Sequence, residues 1–298
     1  MRSRSRVLLA ALAGLLGSSL RASGQEFAGT AGLADSLAAV RAAAAAQRAV
    51  PQAPETPNVM GGSRFETVQG LSQDPATTAV PETGAYQVRG VDVSHYQGDI
   101  DWAAVKRAGV AFAYIKATEG ADGTDDQFAK NWKGAAAAGM LKGAYHFYNF
   151  CKGGAAQADN FISTVPRGSG DLPVTVDLEK SGACRTLPEK AAFRKQLAVF
   201  VEKIRKAYGH KPILYLNAGI YDRYFQGELV DEKLWIADTS HASPVLSDNA
   251  PWALWQYGWH GKVDGIPSEV DLDVFNGTPQ MLASLSGPSD VLVAALSQ

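Results

Sequence analysis

The sequence predicts an α/β fold, a closed barrel in which strands and helices alternate and the last third is simplified. Three observations carry this expectation. From Val88 onward, short β-type runs alternate with helix-length segments, the pattern of a parallel sheet. Eight such runs fit within about 190 residues, enough to close a barrel. After Asn217 the gaps shorten and helix-forming stretches thin out.

The elements follow in order along the chain. Strands are predicted at Arg89–Ser94, Phe112–Ala117, Gly143–Asn149, Leu172–Glu179, Ile213–Asn217, Leu234–Ala237, Ala253–Tyr257 and Val270–Phe275. Helices are predicted between the early strands, at Trp102–Ala108, Gln127–Ala138, Ala155–Thr164 and Glu189–Tyr208.

What precedes Val88 is different material. Arg2, Arg4 and Arg6 form a positive start, Val7 to Leu16 a short apolar run, and Ala22-Ser23-Gly24 a small-residue cleavage site, so residues 1–24 read as an export signal. The apolar run is shorter than the ~20 residues of a spanning helix, although an uncleaved anchor is the alternative. Residues 25–85 contain an alanine run from Ala38 to Ala49, then Pro51, Pro54 and Pro57 among small polar residues. Too little apolar surface is available there to offset the entropy of ordering, so the stretch reads as a spacer. The barrel is expected over 86–280, with a tail over 281–298.

Composition bounds the function. Of 298 residues, 46% are hydrophobic and 19% charged, as in a globular domain with a sizeable core. The net charge of −2 and pI near 6.2 give no broad attraction to nucleic acid or anionic lipid. No nucleic-acid partner is expected, no membrane association once the signal is removed, no cofactor, and a monomeric state. Localisation should be secreted or periplasmic. Two cysteines are too few for a disulfide scaffold or a cysteine-based zinc module.

Three strands share a feature that packing does not explain. In Val91-Asp92-Val93-Ser94, Val174-Thr175-Val176-Asp177-Leu178-Glu179 and Val270-Asp271-Leu272-Asp273, aliphatic residues alternate with polar ones that are mostly acidic. Side chains two apart share a strand face, so the aliphatic residues should face a helix layer and the carboxylates the barrel mouth. Solvated edge strands are the alternative. Crowded carboxylates in a partly dry site split their pKa values and supply an acid beside an anion, as glycosidic cleavage requires. A hard-cation site is the competing use, but no Asp-x-Asp-x-Asp-Gly loop or His-x-x-x-His spacing occurs. His95 and His146, near strand ends, either line the site or serve structure. Tyr96, Tyr145, Phe147, Tyr148, Tyr215, Trp235, Trp255, Tyr257 and Trp259 cluster near strand ends, where flat apolar faces with polar handles suit sugars.

In order along the chain stand Gly90-Val91-Asp92-Val93-Ser94-His95-Tyr96-Gln97-Gly98, Lys116-Ala117-Thr118-Glu119-Gly120, Gly143-Ala144-Tyr145-His146-Phe147-Tyr148, Gln157-Ala158, Asp177-Leu178-Glu179, Trp255-Gln256-Tyr257 and Val270-Asp271-Leu272-Asp273-Val274-Phe275. Through these words the chain resembles the Chalaropsis-type lysozymes of glycoside hydrolase family 25, which are N-acetylmuramidases, from about Gly90 to Gly277. The resemblance implies an irregular TIM-like barrel of five βα units followed by extra strands. It also implies hydrolysis of the β-1,4 bond between N-acetylmuramic acid and N-acetylglucosamine in peptidoglycan glycan strands. By it, Glu179 is the general acid, Asp177 its partner carboxylate, and Asp92 and Asp271 further acidic residues of the groove. Tyr96, Tyr145, His146, Tyr148, Tyr215, Trp235, Gln256, Tyr257 and Asp273 are the expected substrate contacts. Two departures stand out: Asp273 occupies a position where the family usually has asparagine, which should add negative charge at the groove, and Thr239 one where an aromatic is common. Asp177 either attacks the sugar or orients its N-acetyl group; both routes stay open. A metal-dependent hydrolase and a non-catalytic wall-binding protein are the alternatives.

Cys151 follows the third predicted strand and Cys184 the fourth, so both should lie on loops at one barrel face and pair in an oxidising compartment. Limited proteolysis is expected to clip first between residues 25 and 85, and a chain starting near Thr83 should fold and cleave as the full chain does.

Overall fold

The computed structural model describes residues 83–168, 171–228 and 230–286. The expected signal over 1–24, nearly all of the expected spacer, and the chain beyond 286 lie outside the described residues. Nine strands are described: β1 (Val88–Val93), β2 (Phe112–Glu119), β3 (Gly123–Thr124), β4 (Leu141–Phe147), β5 (Thr175–Asp177), β6 (Ile213–Asn217), β7 (Leu234–Ala237), β8 (Leu254–Gly261) and β9 (Val270–Phe275). Six helices accompany them: α1 (Trp102–Arg107), α2 (Phe128–Ala137), α3 (Gly154–Thr164), α4 (Lys190–Tyr208), α5 (Ala218–Tyr224) and α6 (Pro279–Leu285). The sheet runs β1-β9-β8-β7-β6-β5-β4-β2-β3, and β1 also pairs with β2, so eight strands close into a barrel with β3 as an appendage.

Strands β1, β2, β4, β5, β6, β7 and β8 pair in parallel, whereas β9 runs antiparallel to both β8 and β1. Helices α1 to α5 each follow a strand within the first five βα units; β7, β8 and β9 are joined without helices. The simplified last third is therefore real, and the reversed β9 closes the barrel without a crossover helix. Three elements are not announced by the sequence pattern. The β3 hairpin is two residues long, and α5 is a short helix capped by Asn217, whose Oδ1 accepts from the Ile220 amide. Helix α6, starting on Thr278 and Pro279, buries Leu282 against the barrel floor, so the boundary expected at 280 falls inside a helix.

Alternation along the strands sorts the core into two parts. Val91, Val93, Ala113, Ile115, Val174, Val176, Leu178, Leu214 and Ile236 join the layer beneath the helices. Val88, Phe112, Tyr114, Ile213, Tyr215, Trp235, Leu254 and Phe275 fill the barrel itself. Two glycines make room for rings there. A Cβ on Gly90 would lie 2.2 Å from the Phe112 ring, and one on Gly143 would lie 2.2 Å from Tyr114. These are register partners across β1–β2 and β2–β4. The interior is thus plugged by aromatics at its lower end, and the strands' C-terminal ends remain free for polar groups.

Cys151, after β4, and Cys184, after β5, form a disulfide with their Cα atoms 5.5 Å apart. It ties two loops of the C-terminal face, the face that carries the site described below. Closing a loop of 33 residues' separation removes unfolded-state entropy equivalent to about 3.5–4 kcal/mol. The Cys151→Ser/Cys184→Ser double variant should melt about 8–15 °C lower than the wild type in a calorimetric scan.

Candidate active site

The C-terminal ends of the strands surround a groove of about 350 Å³, lined by Asp92, Tyr96, Lys116, Tyr145, Phe147, Asp177, Glu179, Tyr215, Trp235, Gln256, Trp259 and Asp271, among others. The acids of β1, β5 and β9 fall on the interior face: that of β1 continues Gly90–Asp92, and that of β5 continues Thr175–Asp177 to Glu179 just past the strand. Asp92 stands directly opposite Asp271 in the β1–β9 register, a like-charge pair that destabilises a ladder unless protons intervene.

Register shifts in β2 and β8 shape the rim. One in β2 between Lys116 and Thr118 leaves Lys116 in the groove and turns Thr118 outward beside His146. A second in β8 between Gln256 and Gly258 accompanies the placement of Gln256 and Trp259 in the groove. Bulges of this kind re-aim side chains beside sites.

The carboxyls do not behave as isolated acids. Burial pushes Asp92 up to about 7, with the Glu179 charge adding to the rise and the Gln256 hydrogen bond opposing it. Burial pushes Asp271 up to about 9, with Asp92 and Glu179 as further causes. Asp177 is held well above the ordinary range, by burial first and then by Glu179 and Asp92. Glu179 is raised by burial, while Tyr215 and Lys116 pull it back. Protons therefore belong to the cluster, which titrates as a unit. Lys116 is the only cation among the described residues of the groove lining; its Nζ lies 2.9 Å from Glu119 Oε2 and 4.7 Å from the Phe147 ring centre.

Neutral partners orient the acids. Gln256 Nε2 donates to Asp92 Oδ2 at 2.8 Å, and Trp259 Nε1 donates to Gln256 Oε1 at 3.0 Å. The Tyr215 hydroxyl lies 3.0 Å from Glu179 Oε1 and 2.8 Å from Gln256 Oε1. Asp177 Oδ1 is buried and finds no hydrogen-bond partner among the described residues. Tyr96 and Trp259, 76% and 53% exposed, are the open aromatic faces of the rim. No described group of three or more His, Cys, Asp or Glu side chains is arranged to hold a metal ion, and no described helix is long and apolar enough to cross a membrane.

Of the residues singled out from sequence, the structure brings Asp92, Asp177, Glu179, Asp271, Tyr96, Tyr145, Tyr215, Trp235 and Gln256 together on the groove. Four stand elsewhere, and the first three are corrected by strand parity. His146 and Tyr148 point away from the groove, into the helix side of β4. His146 is fully buried and stacks on Phe200, and burial pulls its pKa down to about 4, so the ring is neutral. Gln157 Oε1 also accepts from the Asn149 amide, so His146 donates through Nε2 to Gln157 and accepts at Nδ1 from Thr118. Tyr148 packs among Phe150, Phe193 and Phe200. Tyr257 lies on the other face of β8 from Gln256, against Trp255. The fourth, Asp273, sits wholly buried and outside the groove lining, accepting from Trp235 Nε1 at 3.0 Å. Burial and its Asp92 and Asp271 neighbours raise its pKa well above the usual range. His95 serves structure: its Nδ1 lies 2.8 Å from Asp125, which also accepts the His95 amide. Phe147 and Trp259, expected only as part of the aromatic cluster, also line the groove, and Lys116 was not expected there; the lone lysine inside the apolar run Phe-Ala-Tyr-Ile-Lys-Ala was the available signal for it.

The raised carboxyls fix the sign of a pH effect. The folded chain keeps protons that the unfolded chain loses above about pH 4, so their contribution to stability falls as pH rises through 7 and 9. The melting temperature should drop by several degrees between pH 5 and pH 9, and Asp271→Asn should make that slope shallower. A slope unchanged in the variant would refute the shift.

Comparison with known proteins agrees with this geometry. The sequence profile of the family described as "Glycosyl hydrolases family 25" matches residues 91–266. Lysozyme M1 of Streptomyces globisporus is 34% identical over 235 residues, 76% of this chain and 79% of that protein. The solved structure of a family 25 glycosyl hydrolase from Bacillus anthracis superposes with a TM-score of 0.63 at 37% identity, covering 67% of this chain and 93% of the other. The bacterial lysozyme of Streptomyces coelicolor gives 0.63 at 35% identity, covering 67% and 96%. With its barrel of five βα units, its acidic groove and a profile match across more than half its length, the chain belongs to glycosyl hydrolase family 25.

Proposed function

We propose that this protein is a muramidase that hydrolyses the β-1,4 bond between N-acetylmuramic acid and N-acetylglucosamine in peptidoglycan. The observation that carries the reading is the Asp177–Glu179 pair at the end of β5, aimed into a groove with open aromatic faces at its rim. Glu179 is the acid. Burial raises its pKa, the direction that favours the protonated form needed at the leaving oxygen. Asp177 faces the charge that develops on the sugar ring, and its unpartnered Oδ1 can accept a substrate N–H or approach the anomeric carbon. Asp92 and Asp271 set the charge around the pair and place the substrate. Tyr96 and Trp259 offer stacking platforms for sugar rings.

Lysozyme M1 and the N,O-diacetylmuramidase of Chalaropsis are relatives whose names carry this activity. Export belongs to the same proposal: the disulfide suits an oxidising compartment, and a wall substrate lies outside the cytoplasm.

Glu179→Gln keeps the shape but holds no transferable proton, so its rate on purified peptidoglycan should fall by about 10²–10⁴-fold with the melting transition retained. Asp177→Asn should lose a similar factor, and Asp92→Asn and Asp271→Asn less. Borohydride reduction and mass spectrometry of the products should find new muramic acid ends; new glucosamine ends would overturn the bond assignment. Chelator should leave the rate unchanged.

A further inference from the structure

Gln256 is 2% exposed, and its amide can face only one way. An indole N–H can donate but not accept, so the contact with Trp259 fixes Oε1 on that side and leaves Nε2 to donate to Asp92. The same Oε1 lies 2.8 Å from the Tyr215 hydroxyl. Tyr215, 6% exposed, therefore has one proton and two oxygen neighbours, Gln256 Oε1 and Glu179 Oε1. A neutral carboxyl competes poorly with an amide oxygen for that proton, whereas a carboxylate wins it, because charge-assisted hydrogen bonds are about twice as strong as neutral ones.

We propose that Tyr215 is a positioning residue whose hydroxyl turns with the state of Glu179, donating to Gln256 while Glu179 holds its proton and to Glu179 once that proton has gone. The proposal rests on the muramidase reading and deepens it. In the first step the glycosidic C–O bond breaks as Asp177 or the sugar's own N-acetyl oxygen bonds the anomeric carbon, and Glu179 gives its proton to the leaving oxygen and becomes a carboxylate. The Tyr215 O–H then rotates from Gln256 Oε1 to Glu179 Oε1; no proton leaves Tyr215, and Gln256 Oε1 keeps the Trp259 bond. In the second step Glu179 takes a proton from the incoming water, and the Tyr215 hydroxyl turns back. One rotor thus serves the same carboxyl as acid and as base. Buried Tyr215 stays protonated throughout: burial and the charges of Glu179, Asp177, Asp92 and Asp271 all hold its pKa well above the usual value. The charged groups facing Glu179 and Tyr215 are Asp177 on β5, Lys116 on β2, Asp92 on β1 and Asp271 on β9.

The test is the pH profile of kcat on purified peptidoglycan for two variants with opposite expectations. Tyr215→Phe keeps the ring against Trp235 but removes the donor to ionised Glu179. Its alkaline limb should move up by roughly one to two pH units, the equivalent of one hydrogen bond to a charged group. Its kcat should fall about tenfold with KM nearly unchanged. Trp259→Phe removes the indole N–H, which frees the Gln256 amide to flip and present its N–H to Tyr215; the tyrosine proton is then held on Glu179, and the alkaline limb should move down. Limbs that stay at the wild-type position in both variants, or that move the same way, would overturn the switch. The exposed Trp259 site keeps the test available if Tyr215→Phe does not fold. Absence of new muramic acid ends from the wild type would instead overturn the underlying reading, so the two failures are separable.

Discussion

A strand in a closed barrel can show only every second side chain to the interior, and this constraint governs the whole molecule. It sends Val91, Val176 and Leu214 outward beneath the helices, and Asp92, Asp177 and Tyr215 inward. Because the barrel is closed, the inward set converges from every strand on one axis. At the lower end that convergence is apolar, with Phe112 and Tyr114 lying over Gly90 and Gly143 and with Leu282 of α6 beneath. At the upper end it is acidic. The aromatic plug therefore forms the floor beneath the carboxyls, whose pKa values are raised by burial and by one another.

Crowding acid in this way is unfavourable for folding and useful for chemistry. Asp92, Asp271 and Asp273 lie close enough to share hydrogen bonds, which requires protons among them. Lys116 offsets part of the charge felt by Asp177 and Glu179. Tyr215, Gln256 and Trp259 add neutral hydrogen-bond donors that follow or fix the carboxyls without adding charge. The disulfide across the loops after β4 and β5 stabilises the face where this cost is borne. Strain from like charges and restraint from covalent linkage thus lie on the same end of the barrel.

Much of this was legible in the sequence where neighbouring residues differ in kind. In β1, β5 and β9 aliphatic and acidic residues alternate, so each strand announces which face is which, and the acids meet in the groove as their pattern requires. In β4 the run Tyr145-His146-Phe147-Tyr148 offers a ring at every position, and nothing in it tells the inner face from the outer. Tyr145 and Phe147 line the groove; His146 and Tyr148 belong to the helix-side core. The same ambiguity hid the outward turn of Tyr257 beside inward Gln256. Residues 1–82 carry their reading in composition alone.

The sequence by itself determined the alternation of strand and helix, the simplified last third, the family, and the acidic strands that supply the chemistry, because each is written in local order and period. Only the tertiary structure decided which aromatics reach the groove, that a bulge after Lys116 turns Thr118 out of it, and that Asp273 lies buried outside its lining. It alone put Tyr215 between Glu179 and Gln256, residues 36 and 41 positions away in the chain. Register, bulges and barrel closure depend on pairing between distant strands, and the protonation of a carboxyl depends on what surrounds it in space.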